Sequence, residues 1–240
     1  MKILCLDIGN TRFKASYCQG NEWLWHIVAQ SPSEITDLLL NDMPDRVMVS
    51  DVRGNADWIG EYFTNTEVIY VNSAMPLPIT IAYSTAETLG ADRLAAAAGA
   101  TALYPNMSCL IFDCGTCMTI DFIDSKATYH GGAISPGLEM RLRAMHEFTG
   151  KLPAVEMVLP ESFVGNSTKA CMRSGAFFGM LDEITGAIQR YEQQYGHIQA
   201  IITGGDAVMF AKHIKNNIFA PPNLVTEGLK HIAQHVPKGN

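Results

Sequence analysis

With 240 residues, the chain has the length of one large domain or two ordinary ones. Hydrophobic residues make up 48% and charged residues 17%, which is ample material for packed cores. A net charge of −7 argues against nucleic acid and anionic membrane surfaces as partners, and no apolar run has the length of a membrane span.

Residues 2–7 form an apolar run that predicts a buried strand. Asp7 follows Lys2 and this short run at once, with no small-residue cleavage site, which argues against a signal peptide and for a cytoplasmic protein. Thr11–Ser16 and Glu22–Ala29 predict two further strands of a meander, turning at Gln19-Gly20-Asn21. Ser33–Asn41 has helical spacing with Ser at its cap. Arg46–Val52 is apolar and β-branched enough for a strand, Asn55–Thr64 reads as helix and Glu67–Val71 as strand. Pro76 and Pro78 break the pattern before a long alanine-rich helix over Ala86–Leu103, started or interrupted at Gly90.

The pattern then restarts. Ser108–Asp113, Met118–Ile123 and Thr128–Ser135 predict strands, Gly137–Phe148 a helix, and Leu152–Phe163 a proline-punctuated loop. A long helix covers Thr168–Tyr195, a strand at Ala200–Thr203 runs into Gly204-Gly205-Asp206, and Ala207–Ile214 and Leu224–His235 are the last helices. Each half thus reads as three strands followed by alternating helix and strand, an α/β pattern with mixed sheets. The boundary is expected near Pro105-Asn106, giving halves of 1–105 and 106–240.

The two halves open on nearly the same words. Lys2 to Thr11 and Cys109 to Thr119 are each an apolar run ending in Asp-x-Gly, with Thr close behind. A glycine past a buried strand lets the backbone turn tightly, so that its N–H groups can point at phosphate oxygens. In the first copy Asn10 and Thr11 add donors, Lys14 adds a charge, and Asp7 at the strand end suits Mg²⁺, directly or through water. In the second, Thr116 and Thr119 can donate to phosphate and Asp113 can face a cation. Either copy alone reads equally as an ordinary hairpin, but the pair points to two turns gripping a polyphosphate and its metal from both sides. Ile201 to Asp206 is a strand meeting two glycines, either a surface for a flat base or a tight strand-to-helix turn.

Gly90-Ala91-Asp92-Arg93 enters a helix, where the dipole keeps Asp92 ionised. Such a carboxylate can orient an alcohol and take its proton, and Arg93 can pair a substrate carboxylate; the plain alternative is a first-turn helix acid. The six cysteines lack the spacing of a disulfide scaffold and read mostly as reduced core residues; Cys114-x-x-Cys117 has redox spacing but no redox context. His231 and His235 share a helix face without a third ligand, so a solvated face is the better reading.

The two Asp-x-Gly-x-Thr turns and the Gly-Gly turn resemble the acetate and sugar kinase/Hsp70/actin superfamily. That resemblance implies a duplicated ribonuclease H-like fold, two mixed-sheet halves with an ATP cleft between them. Within it, Asp7-x-Gly-Asn-Thr-x-x-Lys14, Gly90-Ala-Asp-Arg93, Asp113-x-Gly-Thr-x-x-Thr119, Gly131-Gly-x-Ile-x-Pro-Gly-Leu138 and Gly165-x-Ser-Thr168 occur in the order of type III pantothenate kinases. The resemblance implies that Asp7, Ile8, Gly9, Asn10, Thr11, Arg12, Phe13 and Lys14 form the ATP phosphate loop, with Thr116 a second phosphate contact. It further implies Asp92 as proton acceptor, Tyr83, Gly90, Ala91, Asp92, Arg93 and Thr168 as pantothenate-binding, and Asp113 as ligand of K⁺ (or NH4⁺). ATP with Mg²⁺ as the phosphoryl donor, a homodimer with the pantothenate site near the subunit interface, and the first step of coenzyme A synthesis follow from the same likeness. Cys117 stands where the family commonly has alanine. The alternatives are a kinase of the same superfamily with another acceptor and a non-catalytic regulatory homologue.

Overall fold

In the computed structural model of the chain, residues 1–9, 13–40, 42–54, 56–214 and 218–237 are described. Asn10, Thr11 and Arg12 of the expected phosphate loop lie outside them. The described residues fall into two compact units, one drawn from Met1–Asn106, Asp124–His130 and Asn223–Asn240, the other from Met107–Ile123 and Gly131–Pro222.

Unit one is built on β1 (Lys2–Ile8), with β2 (Phe13–Gln19) and β3 (Glu22–Ala29) added as an antiparallel meander. Gly20, at φ 61, makes the meander's turn. On the other side β4 (Arg46–Asp51) and β5 (Glu67–Tyr70) run parallel to β1, giving the order β3-β2-β1-β4-β5. Side chains alternate across a strand. Leu4, Leu6 and Ile8 therefore join Val47 and Val49 on one face, buried against Ile35 and Leu39 of α1 (Pro32–Thr36) and the 3₁₀ turn that follows it, and against Ile59 of α2 (Asp57–Tyr62). A short β6 (Thr80–Ile81) and α3 (Ala91–Leu103) complete this part of the chain.

Unit two repeats the plan. β7 (Cys109–Cys114) pairs antiparallel with β8 (Cys117–Ile123), which neighbours β9 (Thr128–Pro136). The first residues of β9 belong to unit one, where Thr128 and Tyr129 pair with Thr80 and Ile81 of β6. α4 (Leu138–Glu147) and the long α5 (Thr168–Tyr195), N-capped by Ser167, follow. β10 (Gln199–Thr203) then enters parallel to β7, and α6 (Ala207–Ala211) leads to a short β11 (Ile218–Phe219). The order β11-β10-β7-β8-β9 matches that of unit one, with β7 in the place of β1 and β10 in that of β4. Met172, Phe177, Met180 and Ile184 of α5 cover Leu110, Phe112 and Phe122 of the sheet.

The chain returns to unit one as α7 (Leu224–His235). A single cut at residue 105 therefore differs from the observed units, for a packing reason. Gly99 of α3 and Gly228 of α7 let the two helices meet backbone to backbone, and the far face of the first sheet is covered by this pair. Ser16 Oγ donates to Thr226 Oγ1 at 2.9 Å. Arg46, only 1% exposed, donates to the carbonyl oxygens of Ala233, Val236 and Pro237 at the end of α7 and pairs with Glu67 at 2.7 Å. A buried cation is tolerated where its donors meet a helix's unpaired C-terminal carbonyls and a carboxylate.

The expected helix over Ala86–Leu103 divides into a 3₁₀ turn at Ala86–Thr88 and α3, because Leu89 and Gly90 are extended. Four of the six cysteines are buried, with burial pushing Cys109 up to about 12 and Cys5 and Cys114 upward as well; Cys117 and Cys171 are exposed. A thiol reagent is therefore expected to label two cysteines in the native protein and all six after unfolding. Native labelling of four or more would contradict this packing.

Candidate active site

At the mouth of the first hairpin, Asp7 is in register with Lys14 on β2 and with Ser50 on β4. In-register neighbours share a sheet face, so Asp7, 8% exposed, has Lys14 and Ser50 on either side of it on that face. Ser50 is fully buried, and its Oγ is the one buried side-chain oxygen or nitrogen among the described residues without a hydrogen-bond partner. Ile8 pairs with Phe13, and Gly9 is half-buried at the start of the loop. The Asp7 carboxylate at the strand end is an oxygen donor of the kind a hydrated Mg²⁺ takes. Among the described residues no cluster of three or more His, Cys, Asp or Glu side chains could hold a metal by itself.

The second hairpin repeats the geometry. Asp113 is in register with Thr119 on β8 and with Thr203 on β10, so a hydroxyl residue again stands on the parallel strand beside the acid. Thr203 Oγ1 is turned to Pro221 O at 3.4 Å. Gly204, at φ 94, brings its backbone so close that a Cβ there would lie 2.5 Å from Asp113 Oδ1. The expected Gly-Gly turn is thus an acid-contacting turn as well, and Asp206 N donates to Cys114 O at 3.0 Å to close it. A carboxylate oxygen at this turn is a donor that a monovalent cation can take. Thr116 is exposed at the tip, its carbonyl held by Gly137 N at 3.1 Å. A Cβ at Gly137 would lie 2.1 Å from Gly115 O and 2.7 Å from Thr116 O, so this close approach to the hairpin tip requires glycine in the Gly131–Leu138 motif.

Asp92 and Arg93 open α3. Gly90 is the N-cap, Ala91 follows, and Arg93 N donates to Asp92 Oδ1 at 2.8 Å, so the carboxylate is folded over the helix start. The Arg93 guanidinium lies 5.9 Å from the ring centroids of both Tyr83 and Tyr129. Both distances are within cation–π range. Tyr129, fully buried, is a neighbour that sequence reasoning missed; its only signal was an aromatic residue before Gly131-Gly132. Unit one thus brings Tyr83, Gly90, Ala91, Asp92 and Arg93 together. Thr168, exposed as the first residue of α5, belongs to unit two with Asp113 and Thr116.

Unit one thus carries an acid at a strand end and a helix-start carboxylate beside an Arg-Tyr cluster, and unit two repeats the acid at its own first strand. A sequence model of type III pantothenate kinases matches residues 3–190. The chain belongs to the type III pantothenate kinase family. A type III pantothenate kinase of Cytophaga hutchinsonii is 38% identical over 232 residues, covering 97% of this chain and 98% of that protein. One of Flavobacterium psychrophilum is 37% identical over 238 residues, covering 97% and 99%. These type III pantothenate kinases extend the likeness beyond residue 190, across β10 and α7.

Solved structures share the fold at low identity. The activator of 2-hydroxyisocaproyl-CoA dehydratase from Clostridium difficile with bound ADPNP superposes with a TM-score of 0.53 at 13% identity, over 98% of this chain and 94% of that one. A glucokinase from an Antarctic psychrotroph gives 0.50 at 11%, over 97% and 99%. The fold is the duplicated ribonuclease H-like, actin-like ATPase fold, as the matching strand orders of the two sheets require. No helix among the described residues is long and apolar enough to cross a membrane.

Proposed function

We propose that the chain transfers the γ-phosphoryl group of ATP to the hydroxyl of pantothenate, giving ADP and 4′-phosphopantothenate, the first step of coenzyme A synthesis. The observation that supports the acceptor assignment is the Asp92 carboxylate, bound to the Arg93 backbone N–H at the start of α3, next to an Arg93 guanidinium that lies beside Tyr83 and Tyr129. Phosphoryl transfer needs positioning and charge neutralisation more than covalent help from the protein. Arg93 pairs the pantothenate carboxylate, and Tyr83 and Thr168 shape its binding. Asp92 orients the hydroxyl and takes its proton as the new bond forms.

Asp7 to Lys14 cradle the phosphates with backbone N–H groups and the Lys14 ammonium, and Thr116 adds a hydroxyl. Mg²⁺, when bound, neutralises phosphate charge, with Asp7 holding it directly or through water. Asp113 holds K⁺ or NH4⁺. The protein acts in the cytoplasm as a homodimer.

A coupled ADP-release assay tests substrate, reaction and cation together. ADP is expected to appear only with pantothenate present, and its release to fall towards background when Na⁺ replaces K⁺. Phosphorylation of a sugar but not of pantothenate would replace the acceptor. No turnover under any condition would favour a non-catalytic role.

A further inference from the structure

Ser50 has no part in the roles assigned above, yet it occupies a demanding place. Its hydroxyl is fully buried without a partner, which destabilises the folded chain relative to an apolar side chain of the same size. The ladder between β4 and β5 ends at Val49 and Tyr70, and on its other side Ser50 is in register with Asp7 of β1. Adjacent strands lie about 4.8 Å apart, a gap that rotation of either side chain closes to hydrogen-bond length. The second unit has the same arrangement, with Thr203 in register beside Asp113. There the hydroxyl is engaged by Pro221 O, whereas that of Ser50 is not.

We propose that Ser50 is a positioning residue for Asp7: with Mg²⁺·nucleotide bound, its hydroxyl donates to one Asp7 carboxylate oxygen and leaves the other for the ion's hydration shell. Carboxylates that serve a metal are themselves held by hydrogen bonds. Burial of Oγ excludes direct contact with a ligand from solvent, so Ser50 acts through its neighbour. The inference rests on the reading of Asp7 as part of the nucleotide loop.

The test uses the full chain and its Ser50→Ala, Ser50→Thr and Asp7→Asn variants. Melting temperature is measured without ligand, and ADP affinity by calorimetry in Mg²⁺ and in EDTA. Ser50→Ala is expected to melt at or above the wild-type temperature and to bind ADP equally in EDTA. It should lose about tenfold of the affinity gained from Mg²⁺, and Ser50→Thr should restore that gain. A Ser50→Ala protein that melts several degrees lower, or that keeps the Mg²⁺ gain within about twofold, overturns the proposal. If Asp7→Asn loses the gain while Ser50→Ala keeps it, only the role of Ser50 falls. If Asp7→Asn keeps it, the assignment of the nucleotide loop falls, and this inference with it. Pantothenate turnover is not among these readouts, so an error in the acceptor leaves the result readable.

Discussion

Asp92→Asn is expected to lower kcat for pantothenate phosphorylation by about 10²–10⁴-fold, the usual contribution of a positioned general base. The fold has little reason to notice. Asp92 Oδ1 accepts from Arg93 N at 2.8 Å, and an asparagine oxygen keeps that bond. A Cβ at Gly90 would lie 2.5 Å from the same Oδ1, so the glycine already leaves space for an oxygen there, and the substitution adds no volume. What is lost is a negative charge in the first turn of α3, worth roughly 0.3–1 kcal/mol to the helix. For a chain of this size that is a change in Tm of no more than about 4 °C. Arg93 and its two tyrosines are untouched, so pantothenate affinity measured by calorimetry should hold while kcat collapses. Near-wild-type turnover of the purified variant would remove Asp92 from the chemistry and leave it a helix-start acid.

Much of the fold was legible because its elements carry their own period. Glu22–Ala29, Thr168–Tyr195 and Leu224–His235 have the limits that alternation, capping and apolar spacing suggest. The two-residue strands β6 and β11 were not legible, since two residues carry no period and their pairing depends on partners far along the chain. The same reason hid Arg46. In a run read as an apolar strand it is a fully buried cation, and the carbonyls that satisfy it come from the far end of α7. At the site, the acids were legible as residues at strand ends and a helix start. Their neighbours were not: Tyr129 reaches Arg93, and Ser50 reaches Asp7, only through tertiary structure. The repeated sentence at the head of each half marked equivalent strands, β1 and β7, as the sheet orders bear out. It did not mark how the copies differ, with Lys14 opposite the first acid and Thr119 opposite the second.

Gly228→Ala is expected to cost more than about 3 kcal/mol, beyond the usual range for one methyl of overpacking, and to lower Tm by roughly 6–12 °C. A Cβ at Gly228 would lie 1.7 Å from Ala95 O, 2.6 Å from its carbonyl carbon and 2.8 Å from Gly99 N. All three atoms are backbone, so no side chain can swing aside; α3 and α7 must separate. Separation loosens the cover over Cys5, Ser16 and Met48, and strains the Arg46 bonds that hold the end of α7. Ala95 lies one turn beyond Asp92, so a shift of α3 also moves the Asp92 carboxylate, and activity should fall with stability if that carboxylate is the proton acceptor proposed. Ala95→Gly cannot rescue the variant, because the obstructing atom is a carbonyl oxygen that glycine also carries. Gly175→Ala, exposed on α5 with nothing within 4 Å of its Cβ position, is the control, expected to stabilise by about 0.5–1 kcal/mol through helix propensity alone. Paired thermal melts separate the cases. A Gly228→Ala protein as stable as wild type would mean that the two helices do not meet through their glycines.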